Sequence, residues 1–124
     1  MLPSYIINSE TLLQRFMGDQ QAVRETLECF RDSIPDLIET LHDNVSESDQ
    51  VAAFATVKKI LRIAICSSAI TVQECAYQME HAVIMEDMAS VREIILLLEL
   101  FCVEVIEAVN ADNSQFSSNL VDMA

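Results

Sequence analysis

The sequence is short of glycine, proline and positive charge. It has one glycine (Gly18), two prolines (Pro3 and Pro35) and no tryptophan in 124 residues. Scarce glycine leaves few sites for tight turns and argues for long helices. Seven Lys and Arg stand against 20 Asp and Glu, a formal net charge of -13. A nucleic-acid partner is excluded on that ground, because phosphate contacts need a basic surface. The opening "MLPSYIINSE" lacks the positive region and long apolar core of a signal peptide. The most hydrophobic run, "IILLLELFCVEVI", is broken by Glu99 and Glu104 and is too short to span a bilayer. There is no HExxH, no glycine-rich phosphate loop and no serine-triad order. Cys29, Cys66, Cys75 and Cys102 have no CxxC spacing, and each lies among apolar residues at a helical position. They read as free, buried thiols in a reducing cytosol. The expectation is a cytoplasmic protein without metal, cofactor or enzymatic activity.

What is present is apolar and helical. Hydrophobic residues make up 52% of a 13.9 kDa chain, enough for one core. Asn8 or Ser9 can cap a short helix, "SETLLQRFM", that stops at Gly18. Asp19 caps a second helix to about Asn44, with Val23, Leu27, Phe30, Ile34, Leu37 or Ile38, Leu41 and Val45 at spacings of three and four. Pro35 inside it should bend it. "NVSESD" is a polar break in which Ser46 and Asp49 have capping-box spacing. A third helix runs from about Asp49 to Ser67. In the weak interruption "CSSAIT", Ser67, Ser68 and Thr71 can compete for their own backbone. A fourth helix follows from about Ala69 to Met85, its inner face Val72, Cys75, Ala76, Met79 and Val83. The last starts near Asp87 or Ser90 and carries Val91, Ile94, Ile95, Leu98, Phe101, Cys102, Val105 and Val109. Leu96, Leu97, Leu100 and Val103 widen its apolar surface beyond one stripe, which reads either as a central helix covered by neighbours or as a self-association face. The pattern predicts an all-α fold, an antiparallel up-and-down four-helix bundle with a short extra N-terminal helix. It occupies residues 1–112, with a flexible tail over 113–124.

The third helix holds the densest positive charge. Ala53, Val57, Ile60 and Ala64 form its core stripe, while Phe54, Lys58, Leu61, Arg62 and Ile65 fall on another side, with Lys59 at the edge. Two readings fit three large apolar groups around two cations. Lys58 and Arg62 lie over a broad core and pair with glutamates of the next helix. Alternatively the five residues dock a protein, with Phe54, Leu61 and Ile65 as anchors and the charges fixing orientation. On the second reading Leu61→Asp abolishes binding without unfolding the bundle. Catalysis by Lys58 is disfavoured, since a convex helix face supplies no pocket to depress a lysine pKa. His42 and His81 read as surface or cap residues.

The phrases "LLQRFMGD" (Leu12 to Asp19), "FRDSIPDLIETL" (Phe30 to Leu41), the break ending in Asp49, and "SAITVQECAYQME" ending at Glu80 resemble, in order and spacing, the histidine-containing phosphotransfer domains of phosphorelays. The resemblance covers about Tyr5 to Val109 and implies a four-helix bundle that docks receiver domains. Family members carry "H.LKG" at the active centre. Counting nine residues on from Asp49, or twenty-two back from Glu80, reaches Lys58, so the motif here is "KKILR". By resemblance Lys58 stands for the phosphorylated histidine, Leu61 for a lysine that holds phosphoryl oxygens, and Arg62 for a glycine that leaves the partner room. A lysine ammonium is protonated at neutral pH, whereas the relay needs a neutral ring nitrogen. The resemblance therefore implies a pseudo-phosphotransfer protein that binds a receiver domain and modulates a phosphorelay. A structural or homodimeric interaction protein is the alternative, followed by active transfer through a displaced histidine.

Overall fold

The computed structural model describes residues 6–123, with side chains described for residues 6–111. The described residues form five helices and no strand: α1 (Ser9–Arg15), α2 (Gln20–Ser46), α3 (Gln50–Cys66), α4 (Ile70–Ile84) and α5 (Met88–Met123). Around the bundle α2 packs on α3, α3 on α4, α4 on α5 and α5 back on α2, and α1 rests on α2. Consecutive neighbours joined by short links give the antiparallel up-and-down bundle that the apolar spacing predicts. The backbone of α5 runs unbroken to Met123, past the point where the sequence pattern ends. The flexibility expected for 113–124 falls on residues whose side chains lie outside the description.

One turn geometry, used four times, replaces glycine. Met17, Ser48, Ser68 and Glu86 adopt left-handed φ values of 51° to 56° just past α1, α2, α3 and α4. At each, the next residue's N–H reaches back five residues: Gly18 to Leu13 O (2.8 Å), Asp49 to Asn44 O (2.9 Å), Ala69 to Ala64 O (2.9 Å) and Asp87 to Ala82 O (3.0 Å). This is the Schellman closure, which satisfies the last carbonyls of a helix. Residues with a Cβ carry the left-handed step at a cost of about 1 kcal/mol each. In three turns the residue donating that bond also caps the next helix, so the links are as short as they can be.

Side-chain caps complete the starts. Asn8, Asp19, Asp49 and Asp87 accept from the N–H of the third residue on, Thr11, Ala22, Ala52 and Ser90, at 3.0 to 3.2 Å. Asp49 is thus the cap of α3, and Ser46 belongs to α2. Ala69 caps α4 without a side-chain bond. There the N-terminal segment closes the turn instead, Asn8 N–H donating to Ser68 O (3.0 Å) and Ile70 N–H to Ile6 O (3.1 Å), with Ile6 and Ile7 buried. The Ser67, Ser68 and Thr71 hydroxyls under this strap have no partner among the described residues, so they do not compete for the backbone as expected.

The core matches the periodicity on α2 (Leu27, Phe30, Ile34, Ile38, Leu41, Val45), α4 (Val72, Cys75, Ala76, Met79, Val83) and α5 (Val91, Ile95, Leu98, Cys102, Val105, Val109). Two corrections follow from burial. Cys75 and Cys102 are buried, but Cys29 and Cys66 are exposed. Leu96, Leu97, Leu100 and Val103 are not covered by neighbours: they stand 44% to 63% exposed along the outer side of α5.

Candidate docking site

The α3 stripe Ala53, Val57, Ile60 and Ala64 is buried as expected, and Thr56 joins it. Thr56 Oγ1 donates to Ala52 O (3.0 Å) and meets the Asn44 side chain of α2 at 2.7 Å, a polar tie that fixes the α2–α3 register. Hydroxyls are neutral to unfavourable inside helices unless satisfied in this way, so periodicity alone passes over the residue.

Of the five residues expected on the docking side, four reach the surface. Phe54 and Ile65 are half-buried against the core, Lys58 is part-exposed and Arg62 is exposed. Leu61 is the correction. It is 5% exposed and belongs to the core, so its side chain cannot be a binding anchor. The physical reason is that α3 touches both α2 and α4, so its buried arc is wider than a single stripe.

Lys58 is held on two sides. Its Nζ lies 3.0 Å from Glu80 Oε2 on α4, an ion pair rather than an aligned hydrogen bond, and 5.4 Å from the Phe54 ring centroid. Both contacts reward a fixed ammonium, the ring by its quadrupole and the carboxylate by charge. Lys58 and Glu80 lie eleven residues either side of Ala69, the hinge of the α3–α4 turn, so antiparallel packing brings them level. That symmetry was present in the sequence. Arg62, one turn further along α3, has no ion pair among the described residues.

Comparison with known proteins adds the fold's relatives. No family model matches the sequence, and no curated protein matches it. A solved structure does: the HPT domain from the Hpt sensor hybrid histidine kinase from Shewanella, with a TM-score of 0.78 at 21% identity, covering 91% of this chain and 97% of that one. The fold is that of a histidine phosphotransfer domain. On this phosphotransfer fold neither histidine lies on α3. His42 is half-buried near the end of α2, where Nε2 shares a 2.9 Å hydrogen bond with Glu99 Oε2 of α5. His81 is exposed in the last turn of α4, in a shallow groove with Gln78, Met85, Asp87 and Ser90 that contains no Lys or Arg. The residues lining the His81 groove include no cation to steady phosphoryl oxygens, and the His42 ring is engaged by a carboxylate. Among the described residues no cluster of His, Cys, Asp and Glu could hold a metal ion, and no helix is long and apolar enough to cross a membrane.

Proposed function

We propose that this chain is a non-catalytic signalling adaptor, a phosphotransfer fold that binds a receiver domain through α3 and modulates a phosphorelay. The setting of Lys58 carries the reading. An ammonium stands at the position that the resemblance assigns to the phosphorylated histidine, pinned between Glu80 and Phe54. Protonated lysine has no free lone pair to take a phosphoryl group, but it can point a cation at a receiver's acidic pocket. Leu61 and Arg62 support the same reading. Leu61, at the place of the lysine that would hold phosphoryl oxygens, is in the core, and Arg62 puts a long charged chain where a glycine would leave room. Phe54 and Ile65 flank the two cations and supply the apolar part of the contact, in the cytoplasm where receivers reside.

The test is a transfer assay with labelled, phosphorylated receiver domains of the source organism, paired with a pull-down of the same receivers. Binding without transfer of label is the expected result. Label on this chain would overturn the reading and turn attention to His42 and His81.

The exposed α5 stripe favours a second reading, a homodimer. Four half-exposed side chains fall short of the roughly 800 Å² per partner of a standard interface. Self-association through these four side chains alone is therefore weak, and sedimentation equilibrium over a wide concentration range measures it.

A further inference from the structure

The four cysteines separate into two pairs with opposite surroundings. Cys75 and Cys102 are buried, and burial pushes their thiols up to about 11 and about 12; the charges of Cys75 and Glu99 raise Cys102 further. Cys29 and Cys66 are exposed, and both line one groove of about 430 Å³ between α2 and α3, together with Phe16, Thr26, Arg62 and Ile63. Both helices border the groove at the end away from their shared turn. Cys29 lies eighteen residues before Glu47 and Cys66 eighteen after Ser48, the two residues at the α2–α3 turn. Cys66 is also fixed in place, because Arg15 Nη1 donates to the carbonyls of Ile65 (2.7 Å) and Cys66 (3.2 Å) at the end of α3. Among the described residues the Cys29 sulfur meets Ser33 Oγ at 3.8 Å, a weak contact that costs little to give up.

We propose that Cys29 and Cys66 are a modification site: a thiol pair that closes reversibly into a disulfide across the α2–α3 groove. A low-molecular-weight disulfide such as glutathione disulfide is the oxidant. One cysteine thiolate attacks it, its S–S bond breaks, a mixed disulfide forms on the protein and one glutathione thiolate leaves. The second cysteine thiolate then attacks the protein-side sulfur, the Cys29–Cys66 bond forms and the second glutathione leaves. Two protein thiols lose two electrons, one glutathione disulfide gains them, and the two thiol protons pass to the two released glutathiones. Cys75 and Cys102 do not compete, since a protonated, buried thiol is neither nucleophilic nor reachable. The proposal stands on the groove that both exposed cysteines line and does not depend on receiver binding.

The experiment treats the folded chain with glutathione disulfide and reads intact mass, non-reducing gel mobility and the linked peptides. The expected product is a monomer lighter by two hydrogens, with Cys29 linked to Cys66 and two thiols that titrate only after denaturation. Cys29→Ser and Cys66→Ser, both at exposed positions and checked for unchanged helical circular dichroism, should each stop at one bound glutathione. Wild type carrying one glutathione on each exposed cysteine without an internal link would overturn the proposal. So would covalent dimers, or no reaction at all.

Discussion

α3 and α5 both show apolar residues to water in a strongly acidic chain, but the two surfaces are built differently. On α3, Phe54 and Ile65 are half-buried around a cation whose direction is fixed by Glu80 and the Phe54 ring. On α5, Leu96, Leu97, Leu100 and Val103 project side by side, with the exposed Arg92 one turn before Leu96 and outside the stripe. An apolar surface with oriented charge discriminates between partners, since a wrong partner leaves the charge unmatched. A leucine stripe with its charge to one side discriminates mainly by shape. This difference is why the proposed receiver contact is placed on α3 and not on α5.

The largest effect should come from crossing the line between the core and surface of α3. Leu61→Asp puts a carboxylate into the core and should cost at least about 4 kcal/mol, with loss of the helical circular-dichroism signal in urea titration. A folded Leu61→Asp variant would mean that the side chain belongs to the surface set after all.

The inner side of α5 offers the next test. In the unfolded chain the Cys75 and Cys102 thiols ionise near the ordinary 9.0, but in the folded chain only near 11 and 12. Above pH 9 the folded state therefore keeps protons that the unfolded state has lost. Stability contributed by these thiols is present below pH 9 and falls as pH rises toward 12. Denaturant midpoints should fall from pH 8 to 11 in wild type and fall less in Cys75→Ala/Cys102→Ala.

Lys58→Glu should act on binding more than on folding. The ion pair it removes is part-exposed and worth no more than about 1 kcal/mol, whereas receiver affinity should drop at least about tenfold at low salt and less at high salt. An equal loss at every salt concentration would remove charge orientation from the account. Smallest of all, Leu96→Ser/Leu100→Ser should change stability by no more than about 0.5 kcal/mol and leave receiver binding intact, while weakening any concentration-dependent association seen by sedimentation.

The fold was legible because helix starts and core stripes are written locally. Asp19 announces its cap, Asp49 marks the start of α3 although the capping-box reading put Ser46 at the cap, and leucines and valines repeat every three or four residues on α2, α4 and α5. Two kinds of feature were not legible. Met17, Ser48, Ser68 and Glu86 take left-handed turns that sequence reading reserves for glycine, because the bonds closing each helix stabilise the step. Leu61 and the exposed cysteines depend on how wide an arc each helix buries, which is set by which helices flank it and not by its own period. The Lys58–Glu80 pair lay between these cases: reflection through the Ala69 turn predicts it once the turn is located. Of the five residues expected to face a partner, burial removes Leu61 and leaves the other four at least partly exposed.

The most direct test is a residue-resolved footprint: nuclear magnetic resonance of isotopically labelled chain titrated with a receiver domain. The account predicts perturbed signals on the outer face of α3, at Phe54, Lys58, Arg62 and Ile65, with Leu96 and Leu100 unchanged. A footprint centred on the α5 leucines would contradict it.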